Sequence, residues 1–236
     1  MEALVFALIM LAAGAGVVFA FVQKQKRRET LAQFALQHKL EYSRADPFGL
    51  TGFDFHLFRL GDGRVCENVV WGDWHGLVVK EADYSYYTES TDSNGRTSRS
   101  YRHFSVVVVD LPAFFPRVCI QRENLRTRMA DALSFRDLEF ESEEFNRMFQ
   151  VTAAHPEFAY KLIDARMIRW LLSTRGIFGF EVSGPGLLVW CGRLRPTELI
   201  PLVGSAALFR DHIPRLVWSE YGTGTQTSPE GERSTS

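Results

Sequence analysis

Trp71, Asp73, Trp74 and His75 fall together in one short polar-flanked segment. Two indoles beside a titratable imidazole can form the edge of a ligand site or a hot spot for a protein partner, because exposed aromatics on loops are binding material. Trp71, Trp74 and His75 are therefore candidate partner-binding residues. Alternatively, both tryptophans cap the end of a core and His75 is solvated. Tyr84 and Tyr86 share one face at strand period and can either stack a flat ligand or pack across strands. Glu139, Glu141, Glu143 and Glu144 offer oxygen ligands for a hard cation. However, Phe140 interrupts the run, and the Gly that a calcium loop needs at its sharp turn is missing. A solvated face and a helix start account for these acids.

No other residue pattern supplies a reaction. The six histidines, at 38, 56, 75, 103, 155 and 212, show no HxH or HExxH spacing, so no metal site is assigned. GxSxG, GxxxxGK[ST] and GxGxxG are missing, and no cofactor or catalytic residue is assigned. Cys66, Cys119 and Cys191 form no CxxC pair and read as buried free thiols, fitting a reducing compartment. A net charge of −1 excludes the global field that draws nucleic acid.

The elements that must position these residues begin with a twenty-residue apolar run over residues 3–22, followed at once by Lys24, Lys26, Arg27 and Arg28. A helix of that length matches a bilayer's hydrocarbon thickness. The run predicts an uncleaved, single-pass transmembrane anchor over residues 1–23, with the bilayer as partner. The cations on its C-terminal side predict an N-terminus outside the cell membrane and a cytoplasmic domain. The same four cations can touch anionic lipid. Ala12, Gly16 and Ala20 recur every four residues, a small-residue face at which two copies of the helix can associate as a homodimer.

Residues 24–46 read as a basic juxtamembrane segment and an amphipathic helix, with Leu31, Phe34, Ala35 and His38 on one face. Strands are expected at 55–60, 64–71, 77–88, 101–110 and 117–121, with turns at 61–63 and 72–76 and a solvated loop over 89–100. The Val106 to Val109 run predicts burial on both faces and a central position. Later segments are richer in helix: 124–133, a start at Ser142, 156–174 with Asp164 as a break or internal cap, and 196–209. Residues 178–182 and 187–191 read as a hairpin around Ser183-Gly184-Pro185-Gly186. The tail over 219–236 has almost nothing apolar and is expected to be disordered. The expected fold is α+β: an N-terminal transmembrane helix, then one soluble domain over 47–218 with an antiparallel sheet and helices mainly on one face.

Asp46-Pro47-Phe48-Gly49-Leu50, Glu67-Asn68-Val69-Val70-Trp71-Gly72, the run ESEEFNRMFQV over 141–151, Asp164-Ala165-Arg166-Met167 and His212-Ile213-Pro214-Arg215 together resemble a family of uncharacterised bacterial single-pass membrane proteins. That resemblance implies a membrane-tethered domain and carries over no activity, cofactor or site residue. The sequence thus reads as a membrane-anchored cytoplasmic binding or interaction domain of unknown ligand, without enzymatic activity. The alternative is an enzyme acting on a lipid or membrane-proximal substrate, with His75 and nearby acids as its site. A secreted carrier would require cleavage of the apolar run.

Overall fold

A computed structural model describes residues 2–122 and 136–222. The helix expected over 124–133 and the tail beyond 222 lie outside the described residues. Helix α1 (Glu2–Gln37) leads into β1 (Glu41–Ala45), two 3-10 turns (Leu50–Gly52 and Leu57–Arg59), β2 (Gly63–Trp74), β3 (Leu77–Thr91) and β4 (Thr97–Arg122). There follow β5 (Arg136–Leu138), α2 (Glu143–Met148), β6 (Phe149–Ala153), α3 (Pro156–Leu162), α4 (Ala165–Ser173) and β7 (Gly179–Gly192). A 3-10 turn (Pro196–Glu198), α5 (Leu199–His212) and α6 (Arg215–Tyr221) complete the described chain.

All strand pairs in the seven-stranded sheet are antiparallel, in the order β1-β2-β3-β4-β6-β5 with β7 also on β4. The α+β class and the antiparallel sheet are thus as the alternating strand pattern predicts. Strand β4 is the spine. Its first half lies between β3 and β7 and its second half between β6 and β7, which leaves Val106 to Val109 fully buried. One sheet face packs against α2 to α6 through Val107, Phe115, Phe158, Met167, Phe180 and Phe209. The other is covered by the two early 3-10 turns through Phe55, Phe58, Tyr84 and Trp190.

The expected transmembrane anchor is corrected. Among the described residues, no helix is long and apolar enough to cross a membrane. The apolar run is the first part of one continuous 36-residue helix whose later turns carry Lys24, Lys26, Arg27, Arg28 and Glu29. Its end is docked on the sheet, with Leu31, Phe34 and Ala35 buried against Leu40, Val70 and Leu199. The single-pass arrangement, the cell-membrane location and the cytoplasmic orientation all rested on that anchor and fall with it. In the first half of α1, Phe6, Leu11, Val17, Phe19 and Phe21 are exposed.

Several boundaries also differ from the sequence reading. Within 55–60 the chain makes a 3-10 turn over Leu57–Arg59 rather than a strand, and Phe55, Leu57 and Phe58 all turn inward to cover the sheet. The segment over 89–100 is a two-stranded ribbon: β3 and β4 stay in register to Thr91 and Thr97, beyond the last β2 pair at Gly63 and Tyr87. Solvation on both sides hid its strand pattern. Segments 178–182 and 187–191 do not pair with each other; both pair with β4 as one strand. The Gly184-Pro185-Gly186 step is a bend matching the register shifts beside Pro112 and Pro116, where prolines are tolerated because the ladder is already interrupted. Helix α6 runs past residue 219 to Tyr221, which lies against Phe115 and Phe158.

Candidate functional site

The aromatic turn is built on a two-residue hairpin. His75 and Gly76 both have positive φ, 53° and 80°, the backbone that closes β2 onto β3 without splaying them. Position parity then separates the two indoles. Trp71 lies on the face with Phe48, 5.3 Å between ring centroids. Trp74 lies on the opposite face, half-buried against His38 at 5.0 Å and wedged between the docked end of α1 and the main core. His75 is exposed. The three candidate residues are therefore neighbours in sequence that do not share one surface. Tyr84 and Tyr86 are buried, the Tyr84 hydroxyl donating to the Leu57 carbonyl and Tyr86 stacking on Phe104.

The chain immediately after the turn borders a large groove. Gly76, Leu77 and Val78 form one wall of an open depression of about 880 Å³. Asp110 and Pro112 of β4 form its floor, and Arg166, Arg210, Asp211, Ile213, Arg215 and Trp218 its far side. The far side is set by two caps. The Asp164 carboxylate accepts from the Met167 amide and starts α4, which places Arg166 in the first turn. Pro214, whose φ of −60° suits a helix entry, begins α6 and sets Arg215 and Trp218. Trp218 rests on Phe115 at 5.5 Å and keeps part of its ring exposed. Arg210 donates to Asp211 Oδ1 at 3.0 and 3.1 Å, and Arg166 donates to the Asp211 carbonyl at 3.2 Å.

A second polar cluster lies under α1 and was missed from the sequence. Asp83 is buried and accepts from the Arg27 fork, from Arg193 at 3.0 Å and from the Asn68 amide at 2.9 Å. Asn68 Oδ1 in turn accepts from the Tyr42 hydroxyl. Burial alone would raise the Asp83 carboxyl; the Arg27 hydrogen bond and charge, with Arg193 and Asn68, outweigh it and hold it below its ordinary value. Two residues earlier on the same face, Glu81 is fully buried, and among the described residues neither of its oxygens has a hydrogen-bond partner. Burial, reinforced by Asp83, pushes it well above the carboxylate range. The cluster turns Arg27 inward, away from any lipid contact, and sets Arg28 and Lys24 near Glu67 at 3.9 and 4.0 Å. Lys26 is exposed.

A third buried acid, Glu181 of β7, accepts the His56 amide at 2.8 and 2.9 Å and faces Arg117 Nε at 3.2 Å. Burial raises it to about 7 against those donors. It pins the 3-10 turn onto the sheet. Cys66, Cys119 and Cys191 are buried free thiols. No group of ligands that could hold a metal occurs among the described residues. Glu139, Glu141, Glu143 and Glu144 follow the helix-start reading, with Ser142 Oγ capping α2 through the Phe145 amide at 3.2 Å. Gly16 and Ala20 are exposed along α1, and the Ala12 side chain lies outside the described set.

No protein-family model and no curated protein matches the chain. Among solved structures it is similar to the mycobacterial trehalose monomycolate transport factor A, TtfA. The match has a TM-score of 0.61 at 13% identity and covers 80% of this chain and 96% of that one. At that identity the likeness shows a shared fold.

Proposed function

We propose that this protein is a non-enzymatic binding domain whose ligand, a lipid-like amphiphile, lies in the groove between the start of β3 and helices α4 to α6. The observation that carries this reading is the groove itself: its volume of about 880 Å³ is within the range of small-molecule sites, and apolar Leu77, Val78, Ile213 and Trp218 line it together with three arginines and two aspartates. Its titratable acids are engaged, Asp110 by Lys80 at 2.5 Å and Asp211 by Arg210, and arginine cannot serve as a base near neutral pH. Such a site holds and orients more readily than it transforms. The lipid class takes its support from the fold shared with the mycobacterial trehalose monomycolate transport factor.

Titration calorimetry of the full chain with monomeric short-chain amphiphiles, covering anionic, zwitterionic and neutral sugar heads, tests the reading. Saturable binding of at least one of them, weakened about fivefold or more by Trp218→Ala or Val78→Asp, is the expected result. Failure of every amphiphile to bind, or binding indifferent to both substitutions, overturns it.

A further inference from the structure

We propose that the groove selects an amphiphile with an anionic head group, whose acidic oxygens are held by Arg166, Arg210 and Arg215 while its apolar part lies along Val78 and Trp218. This deepens the binding reading above and rests on it. Charge is the first argument. Three guanidiniums line one side of the groove. Of its two carboxylates, Asp110 is already paired with Lys80 outside the arginine cluster. Only Asp211 remains, and it pairs with Arg210. Arg166 is hydrogen-bonded to a backbone carbonyl, which leaves its charge uncompensated. Arg215 is exposed, and among the described residues it has neither ion pair nor hydrogen bond. Two uncompensated guanidiniums beside a third thus face one shared space.

Donor geometry is the second argument. A guanidinium presents a planar fork that fits phosphate or carboxylate oxygens two at a time, and several forks converging on one group add specificity as well as affinity. The apolar lining is the third. Val78 is 54% exposed at the groove's edge, a large apolar side chain left bare on a strand whose neighbours Leu77 and Val79 are buried. Trp218 shows part of its indole to the same space. A free anion would leave both in water, whereas an amphiphile covers them.

The test compares dihexanoyl phosphatidylglycerol, dihexanoyl phosphatidylcholine, octyl glucoside and inorganic phosphate, each below its aggregation threshold, against the full chain by calorimetry. We expect phosphatidylglycerol to bind at least tenfold more tightly than phosphatidylcholine or octyl glucoside. Arg215→Gln and Arg166→Gln, both at exposed positions, should each erase most of that preference while the melting temperature stays put. Equal binding of the anionic and zwitterionic lipids, or preference for the sugar head, overturns this inference and leaves the binding reading intact. Inorganic phosphate that competes as effectively as the lipid makes the site one for a free anion and overturns the amphiphile. Binding by none of the four overturns both readings.

Discussion

Asp83 draws donors from three parts of the chain: Arg27 on α1, Asn68 on β2 and Arg193 just after β7. Arg27 also donates to the Leu194 carbonyl at 2.7 Å, so one side chain joins the first helix to both edges of the cluster. Removing one partner of a buried pair strands the other charge. Arg27→Met should therefore cost about 3 kcal/mol in denaturant unfolding. Because the folded Asp83 value is lowered, its contribution is present above the ordinary carboxylate value and lost as pH falls through the folded one. Glu81 has the opposite sign. Its folded value is raised, so the native state holds a proton that the unfolded chain releases above about pH 4.5, and stability falls as pH rises from there toward the folded value. Glu81→Gln should match the parent below that point and melt at a higher temperature near neutral pH. A variant with the parent's pH dependence would show that Glu81 is ionised in the fold. None of this was legible in the sequence. Asp83, Glu81 and Arg193 carry no motif, and Asn68 meets Asp83 from the bulge between Glu67 and Val70, where its φ is 57°.

Helix α1 has two unlike halves. The second half is docked through Leu31, Phe34, Ala35 and Arg27, while the described side chains of the first half are exposed. A chain beginning at Gln23 should keep its melting temperature within about 2 °C, whereas one beginning at Lys39 should melt at least about 10 °C lower or fail to fold. Scanning calorimetry of both truncations checks this. The bend of β7 is equally specific. A Cβ on Gly186 would stand 2.6 Å from the Phe55 ring, which is fully buried and has nowhere to move. Gly186→Ala should cost about 1–3 kcal/mol through overpacking, read by chemical denaturation. Period-two alternation made most strands legible, and Val106 to Val109 announced the central one. The docked helix face and the caps at Ser142 and Asp164 were legible for the same reason, since each follows from local spacing. The β4–β7 pairing was not, because Gly184-Pro185-Gly186 is as good a turn locally as it is a bend. The apolar run misled for a related reason: its length matched a bilayer, but length alone does not tell where a helix ends.

At the scale of the molecule, the groove gathers residues from four distant stretches: 76–78, 110–112, 166 and 210–218. No one stretch marks a site, and Arg210 beside Asp211 is in sequence an ordinary surface pair, which is why sequence spacing pointed to the aromatic turn instead. The residues of that turn point to different surfaces. Trp74 clamps α1, Trp71 covers the far face, and of the turn only Gly76 borders the groove. The sheet supports this arrangement by holding β3 and β4 side by side while α5 and α6 pack on them and α4 packs on α5. Backbone amide shifts of isotope-labelled full chain, recorded while dihexanoyl phosphatidylglycerol is added, test the central claim most directly. The account predicts saturating shifts grouped at residues 76–78, 110–112, 166 and 210–218, with the ribbon over 88–100 unmoved. Shifts confined to the ribbon or to the first half of α1, with the groove silent, would contradict it.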